Sequence, residues 1–148
     1  LLGAQQIDAR NMVFALVQLL AAERLQQRAL PELGMDAIVG QVLDRAREQY
    51  LEALPGIQDM RNAITHFDEW AMGQGHGLQR REVEAGASRR DVAGHFWGLG
   101  YHAGEQVVRL GPFTIDVASA ESAARDLHMA IYAAAQAVDR QRHEPSSG

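Results

Sequence analysis

An arginine, an amide and an imidazole fall together at Arg61-Asn62-Ala63-Ile64-Thr65-His66, and that set can act on a phosphodiester without a metal. A guanidinium is a permanent cation whose planar fork suits a phosphate. An imidazole is the side chain that takes up and releases protons near neutral pH. Asn62 and His66 are four apart, close enough to touch on a helix. The spacing predicts that helix over Ile57 to Met72: Ile57, Met60, Ile64, Phe67 and Ala71 recur at three- and four-residue intervals, the stripe by which a helix docks on a core. At roughly 100° per residue, Asn62, Thr65, His66 and Glu69 fall on the opposite, polar side, with Arg61 at its edge. The candidate catalytic residues are therefore Arg61, Asn62 and His66, facing outward while Ile57, Met60, Ile64 and Phe67 face the core.

The same pattern recurs at Arg90-Asp91-Val92-Ala93-Gly94-His95, and Arg89 with His95 matches at the next spacing. That stretch carries a glycine and no supporting apolar stripe, so the earlier copy is preferred. Arg80, Arg81, Arg89 and Arg90 cluster with Glu82 and Glu84 among them, which reads as a solvated loop. Within it Arg80, Arg81 and Arg90 are the candidate substrate-binding cations. His66, Asp68, Glu69, His76, His95 and His102 offer nitrogen and oxygen donors, but no His-Glu-x-x-His pair on one helix turn marks a hydrolytic zinc site. No metal and no cofactor are expected. Cysteine is absent, which excludes disulfides, thiolate sites and cysteine nucleophiles. Ser88, Ser119 and Ser122 lack a nucleophile-elbow context.

The Arg61 to His66 segment resembles the Arg-x4-6-His motif of the HEPN superfamily, small all-helical bundles in which a polar residue commonly follows the arginine, as Asn62 does here. The resemblance implies a metal-independent RNA endonuclease whose composite site forms where two copies of the motif meet across a homodimer. It implies that Arg61 grips and polarises the scissile phosphate, that His66 handles protons or orients the 2′-hydroxyl, and that Asn62 positions both. The toxins of this superfamily that pair with a nucleotidyltransferase antitoxin carry a tyrosine two residues after the histidine. Asp68 stands there instead, which sets the chain outside that subgroup. The partners so implied are a second copy of the chain, RNA, and an antitoxin or other protein. The alternative is a non-catalytic helical interaction protein, in which Trp70, Phe96, Trp97 and Tyr101 cover an open bundle end or form an apolar patch for a partner.

The elements that must position these residues read as follows. One helix is expected from about Asp8, its cap, to Arg28, closed by Pro31 and Gly34; Ile7, Phe14, Val17, Leu20 and Leu25 are among its apolar positions. A second begins near Asp36, carries Val39, Val42, Leu43, Ala46, Tyr50 and Leu54 on one face, and stops at Pro55-Gly56. The helix bearing the motif is third, and connections this short favour antiparallel neighbours. From Gly73 to Gly111 glycine is frequent. Gly73, Gly75 and Gly77 follow a helix rather than leading a strand into one, so they are read as a helix stop and a mobile connection, not a phosphate loop. Val107 to Leu110 and Phe113 to Val117 are expected strands joined at Gly111-Pro112, with His95 to His102 a third candidate. A last helix, capped by Ser119, runs to about Arg140 with Leu127, Ile131, Ala134 and Val138 inward. The tail from His143 to Gly148 is expected to be disordered.

The expected fold is thus mainly α, an antiparallel four-helix bundle with a small β-hairpin before its last helix, in a single HEPN-like domain over 1–148. Its 148 residues are enough to bury a core without staples. All 14 basic residues are arginine, and the net charge of −5 argues against broad attraction to nucleic acid, leaving only a locally basic groove. The longest apolar run, around Met12 to Ala22, is broken by Gln18 and is too short for a bilayer span. The chain opens on Leu1-Leu2 with no basic leader, which reads as a start inside a longer sequence and a cytoplasmic, not membrane-bound, protein.

Overall fold

The computed structural model describes residues 3–96 and 98–144. Trp97 and the tail residues 145–148 lie outside them; His143, expected in the tail, belongs to the last helix. The chain is mainly helical, with a small antiparallel sheet before that helix. In order come α1 (Ala4–Glu32), α2 (Ala37–Ala53), α3 (Ile57–Thr65), α4 (Phe67–Ala71), α5 (Leu78–Glu84), α6 (Arg89–Gly94), β1 (Leu99–His102), β2 (Val107–Leu110), β3 (Phe113–Asp116) and α7 (Val117–His143). No helix among the described residues is long and apolar enough to cross a membrane. The described residues form two compact units, one drawn from 3–17 and 55–119, the other from 18–54 and 120–144.

Local chemistry explains where the helices start and stop. Asp8, the expected cap, lies inside α1, which starts four residues earlier. There the Gly3 carbonyl accepts the N–H groups of Gln6 and Ile7, while the Gln6 amide oxygen accepts the Gly3 N–H at 2.9 Å, the return half of a capping box whose other half Gly3 has no side chain to make. Pro31 sits in the last turn rather than after it. The helix closes when Met35 N–H reaches the Leu30 carbonyl and Gly34 N–H the Pro31 carbonyl, with Gly34 at φ +68°, the left-handed residue that a Schellman end requires. Asp36 caps α2 as its position predicts, its carboxylate accepting the Ile38 N–H at 2.9 Å.

In the second unit Leu20, Leu30, Leu43, Tyr50, Leu54, Leu127 and Ala134 are buried. Val42, expected on the inner face of its helix, is exposed. Side-chain amides bind the helices there through backbone carbonyls: Gln26 donates to Ile131 and Gln27 to Gly40, each at 2.9 Å. Glu23 is fully buried. Its nearest charge is Arg47, at 3.5 Å, and neither carboxylate oxygen accepts a hydrogen bond. Burial pushes the Glu23 carboxyl up from its ordinary value, against the opposing pull of Arg47.

The first unit departs most from expectation. The single helix from Ile57 to Met72 is broken at His66, whose φ −113° and ψ 46° are not helical. Ile57, Met60, Ala63 and Trp70 form its buried side, Ile64 is half-buried and Phe67 is exposed. The break re-phases the chain so that Trp70 meets Phe96 edge-on, ring centroids 4.6 Å apart. An indole carries more apolar area than a phenyl ring, so burying Trp70 wins over burying Phe67.

Of the three glycines after α4, Gly73 and Gly75 are buried and packed, while Gly77 is exposed. Gly73 has φ +70°, and a Cβ there would lie 2.2 Å from the Arg89 carbonyl oxygen. Gly75 packs against the Trp70 ring and donates its N–H to the Gln79 side-chain oxygen at 2.8 Å. Gln79, fully buried, returns its amide to the Trp70 carbonyl at 2.9 Å, so this buried polar group is satisfied on both atoms. The expected solvated loop of arginines is instead two short helices, α5 and α6, the latter capped by Ser88, which accepts the Asp91 N–H.

The hairpin is a three-stranded antiparallel sheet, order β1-β2-β3, with Tyr101 opposite Val108 and Val108 opposite Ile115. Phe113, Ile115 and Thr114 keep the predicted alternation, but the strand stops at Asp116. That residue, rather than Ser119, holds the start of α7, accepting the Ser119 N–H at 2.7 Å. The bond keeps the Asp116 carboxyl below the usual carboxylate range.

Candidate functional site

The break at His66 shapes the site. α3 ends with the His66 N–H donating to the Asn62 carbonyl at 2.9 Å, so the imidazole leaves the chain where helical backbone stops. Arg61 and His66 are exposed and Asn62 is half-buried. The Asn62 side-chain oxygen accepts from the Arg61 guanidinium at 3.0 Å, which holds the cation beside the helix end. No ion pair among the described residues involves Arg61 or His66. Two large apolar side chains are exposed close by in sequence, Phe67 at 58% and Met72 at 62%.

The other sequence candidates lie apart from this trio in the chain. Arg80 and Arg81 are on α5, Arg89 and Arg90 on α6, all exposed. Arg80 is paired with Glu84 at 2.9 Å and, with Arg89 and His76, lines a hollow of about 460 Å³. Arg81 and Arg90 do not line it. The second motif match falls on α6, with His95 at its exposed C-terminal cap. Among the described residues no three histidine, aspartate or glutamate side chains gather closely enough to hold a metal ion.

A larger hollow, about 600 Å³, opens in the same unit. Ala63, Ile64, Phe96, Leu99 and Leu110 give it apolar walls, and Thr65, Phe67 and Asp68 come from the α3–α4 junction. Gln6 and Arg10 enter from α1, with Arg10 lying over the Phe14 ring at 5.5 Å. Such a volume, mostly apolar with a few polar groups, is what small-ligand sites have.

Against known protein families, curated proteins and solved structures, the chain finds no match. The site must therefore be argued from its own residues. Sequence reasoning missed Gln6, Arg10, Leu99 and Leu110 and read Phe96 only as a cover or partner patch; these residues are far apart along the chain and meet only when it folds. Arg10 carried one readable sign, an aromatic partner four residues on at Phe14. Asp68 and Phe67 were visible as neighbours of the motif, but the unbroken helical phase put Phe67 inside.

Proposed function

We propose that the chain is an HEPN-like RNA-binding protein, a variation on the antiparallel four-helix bundle, acting as a homodimer and cutting RNA without a metal. The observation that carries this reading is the pair of exposed side chains Arg61, on α3, and His66, at its C-cap, with the Arg61 guanidinium already held by Asn62 at 3.0 Å. In a single copy that group lies open to water, where charges stabilise a transition state weakly; a dry, preorganised site is worth far more. The exposed Phe67 and Met72 offer the apolar contact by which a second copy would cover it.

In that site the RNA 2′-hydroxyl attacks the adjacent phosphorus and its proton passes to a base. Arg61 stabilises the charge that grows on the phosphoryl oxygens. The bond to the 5′-oxygen breaks, and that oxygen takes a proton as it leaves. In this reading His66 moves these protons. The products are a 2′,3′-cyclic phosphate and a 5′-hydroxyl end. DNA, lacking the nucleophile, resists. The test is incubation of the purified protein with a mixed RNA pool in EDTA, followed by end-group analysis.

A second reading, a non-catalytic interaction protein, is favoured by exposed apolar residues of the other unit: Leu25, Ile38, Val42, Met129 and Tyr132. Self-association or capture of a defined protein partner, with no cleavage by the parent chain, would favour it.

A further inference from the structure

The 600 Å³ hollow shares the α3–α4 junction with the Arg61–His66 motif, and its polar groups are of two opposite kinds. Asp68 brings a carboxylate with two acceptor oxygens; Arg10 brings a planar fork of donors. Phe67 stands largely exposed beside them, and Phe96, nearly fully buried, closes the hollow with aliphatic neighbours. Apolar walls that include the Phe96 ring take a flat ring, and every nucleobase has such a face.

We propose that this hollow is a guanine pocket, holding a splayed base of the RNA next to the phosphate at Arg61; the inference rests on the RNA reading above. Guanine presents two adjacent donors, N1–H and N2–H, which match the two oxygens of one carboxylate such as Asp68. Its N7 and O6 are two adjacent acceptors, which match a guanidinium fork such as Arg10. The other bases fit less well. Adenine sets a ring-nitrogen acceptor beside its amino group, uracil turns carbonyl oxygens toward the acid, and cytosine offers it a single amino group. Arg10 is held in advance by its seat on Phe14. Gln6 and Thr65, also at the hollow, can meet the remaining base or sugar groups. Bases unstacked from a single strand and read on their edges are how RNA is ordinarily recognised in sequence.

The experiment is calorimetric titration of the full chain with the four nucleoside 3′-monophosphates, in parallel with mapping of cut sites on the RNA pool. Guanosine 3′-monophosphate should bind about tenfold or more tighter than the other three, and cleavage should cluster at guanosine. Asp68→Asn should abolish the preference while leaving helical content intact, since Asp68 is exposed; Arg10→Gln should weaken guanosine binding more than the rest. Equal binding of all four, or a guanosine preference that survives Asp68→Asn, overturns the pocket. Base-blind cleavage by the parent chain also overturns it and leaves the ribonuclease reading standing. Guanosine selectivity that depends on Asp68, without cleavage of any RNA, upholds the pocket and removes only the ribonuclease.

Discussion

Arg61 and His66 carry unequal structural duties but, in the proposed reaction, comparable chemical ones. Arg61 is tied to Asn62; His66 marks the end of a helix with its backbone and keeps its ring exposed. Neither supports the core, so Arg61→Ala and His66→Ala should leave circular dichroism unchanged while each lowers RNA cleavage about a hundredfold, the usual cost of one charge-stabilising group. Arg90→Ala and His95→Ala should be mild. Equal rates in all four variants would remove the motif from the mechanism. Glu23 gives a contrasting case, a charge with a structural cost. Its carboxyl pKa is raised in the folded chain by burial. Stability from this group is therefore full below the ordinary carboxylate range and is lost as pH rises through the raised value. Glu23→Gln should be more stable than the parent at neutral pH and should flatten that decline. Urea unfolding at pH 5 and pH 8 reads both, and parallel slopes for the two proteins would refute it. The sign was present in the sequence: Leu16, Leu20, Glu23, Gln27 and Leu30 keep helical spacing, with two polar residues where apolar ones belong.

The elements were legible where one physical signal dominated. Asp36 before an apolar-periodic run gave the start of α2, and alternation at Phe113 and Ile115 gave a strand. The end of α3 was not legible, because unbroken periodicity turns Phe67 inward, and the break that buries the larger Trp70 against Phe96 shows only in the folded chain. The glycine segment failed for a related reason. A glycine that permits a loop and one that admits a close neighbour look alike in sequence, and Gly73 is of the second kind. Its positive φ and the Arg89 carbonyl 2.2 Å from a would-be Cβ act together. Gly73→Ala should cost more than about 1 kcal/mol and should loosen α6 with the hollow at Arg80 and Arg89. Thermal unfolding measures the first and hydrogen exchange of α6 amides the second. A stability equal to that of the parent would show that the backbone yields.

Sequence alone reached the mainly helical class and the sheet before the last helix, because helical and alternating periods are local. It could not reach the hollow at Arg10 and Asp68, whose residues are brought together by the fold. The proposed composite site makes self-association testable without a structure of the assembly. In a two-fold dimer whose sites each take Arg61 from one copy and His66 from the other, Arg61→Ala and His66→Ala proteins are both dead alone. Mixed and allowed to exchange, they should regain about a quarter of parental cleavage: random pairing makes half the dimers mixed, and each mixed dimer has one intact site of two. Phe67→Asp, which places a charge in the proposed apolar contact, should leave the helices folded while shifting the protein toward monomer in sedimentation and removing cleavage. Both variants sedimenting as dimers that exchange subunits, with no activity recovered on mixing, would mean that each site draws Arg61 and His66 from one copy. The sharing of the site between copies would then be wrong, even if the protein proved to be a ribonuclease.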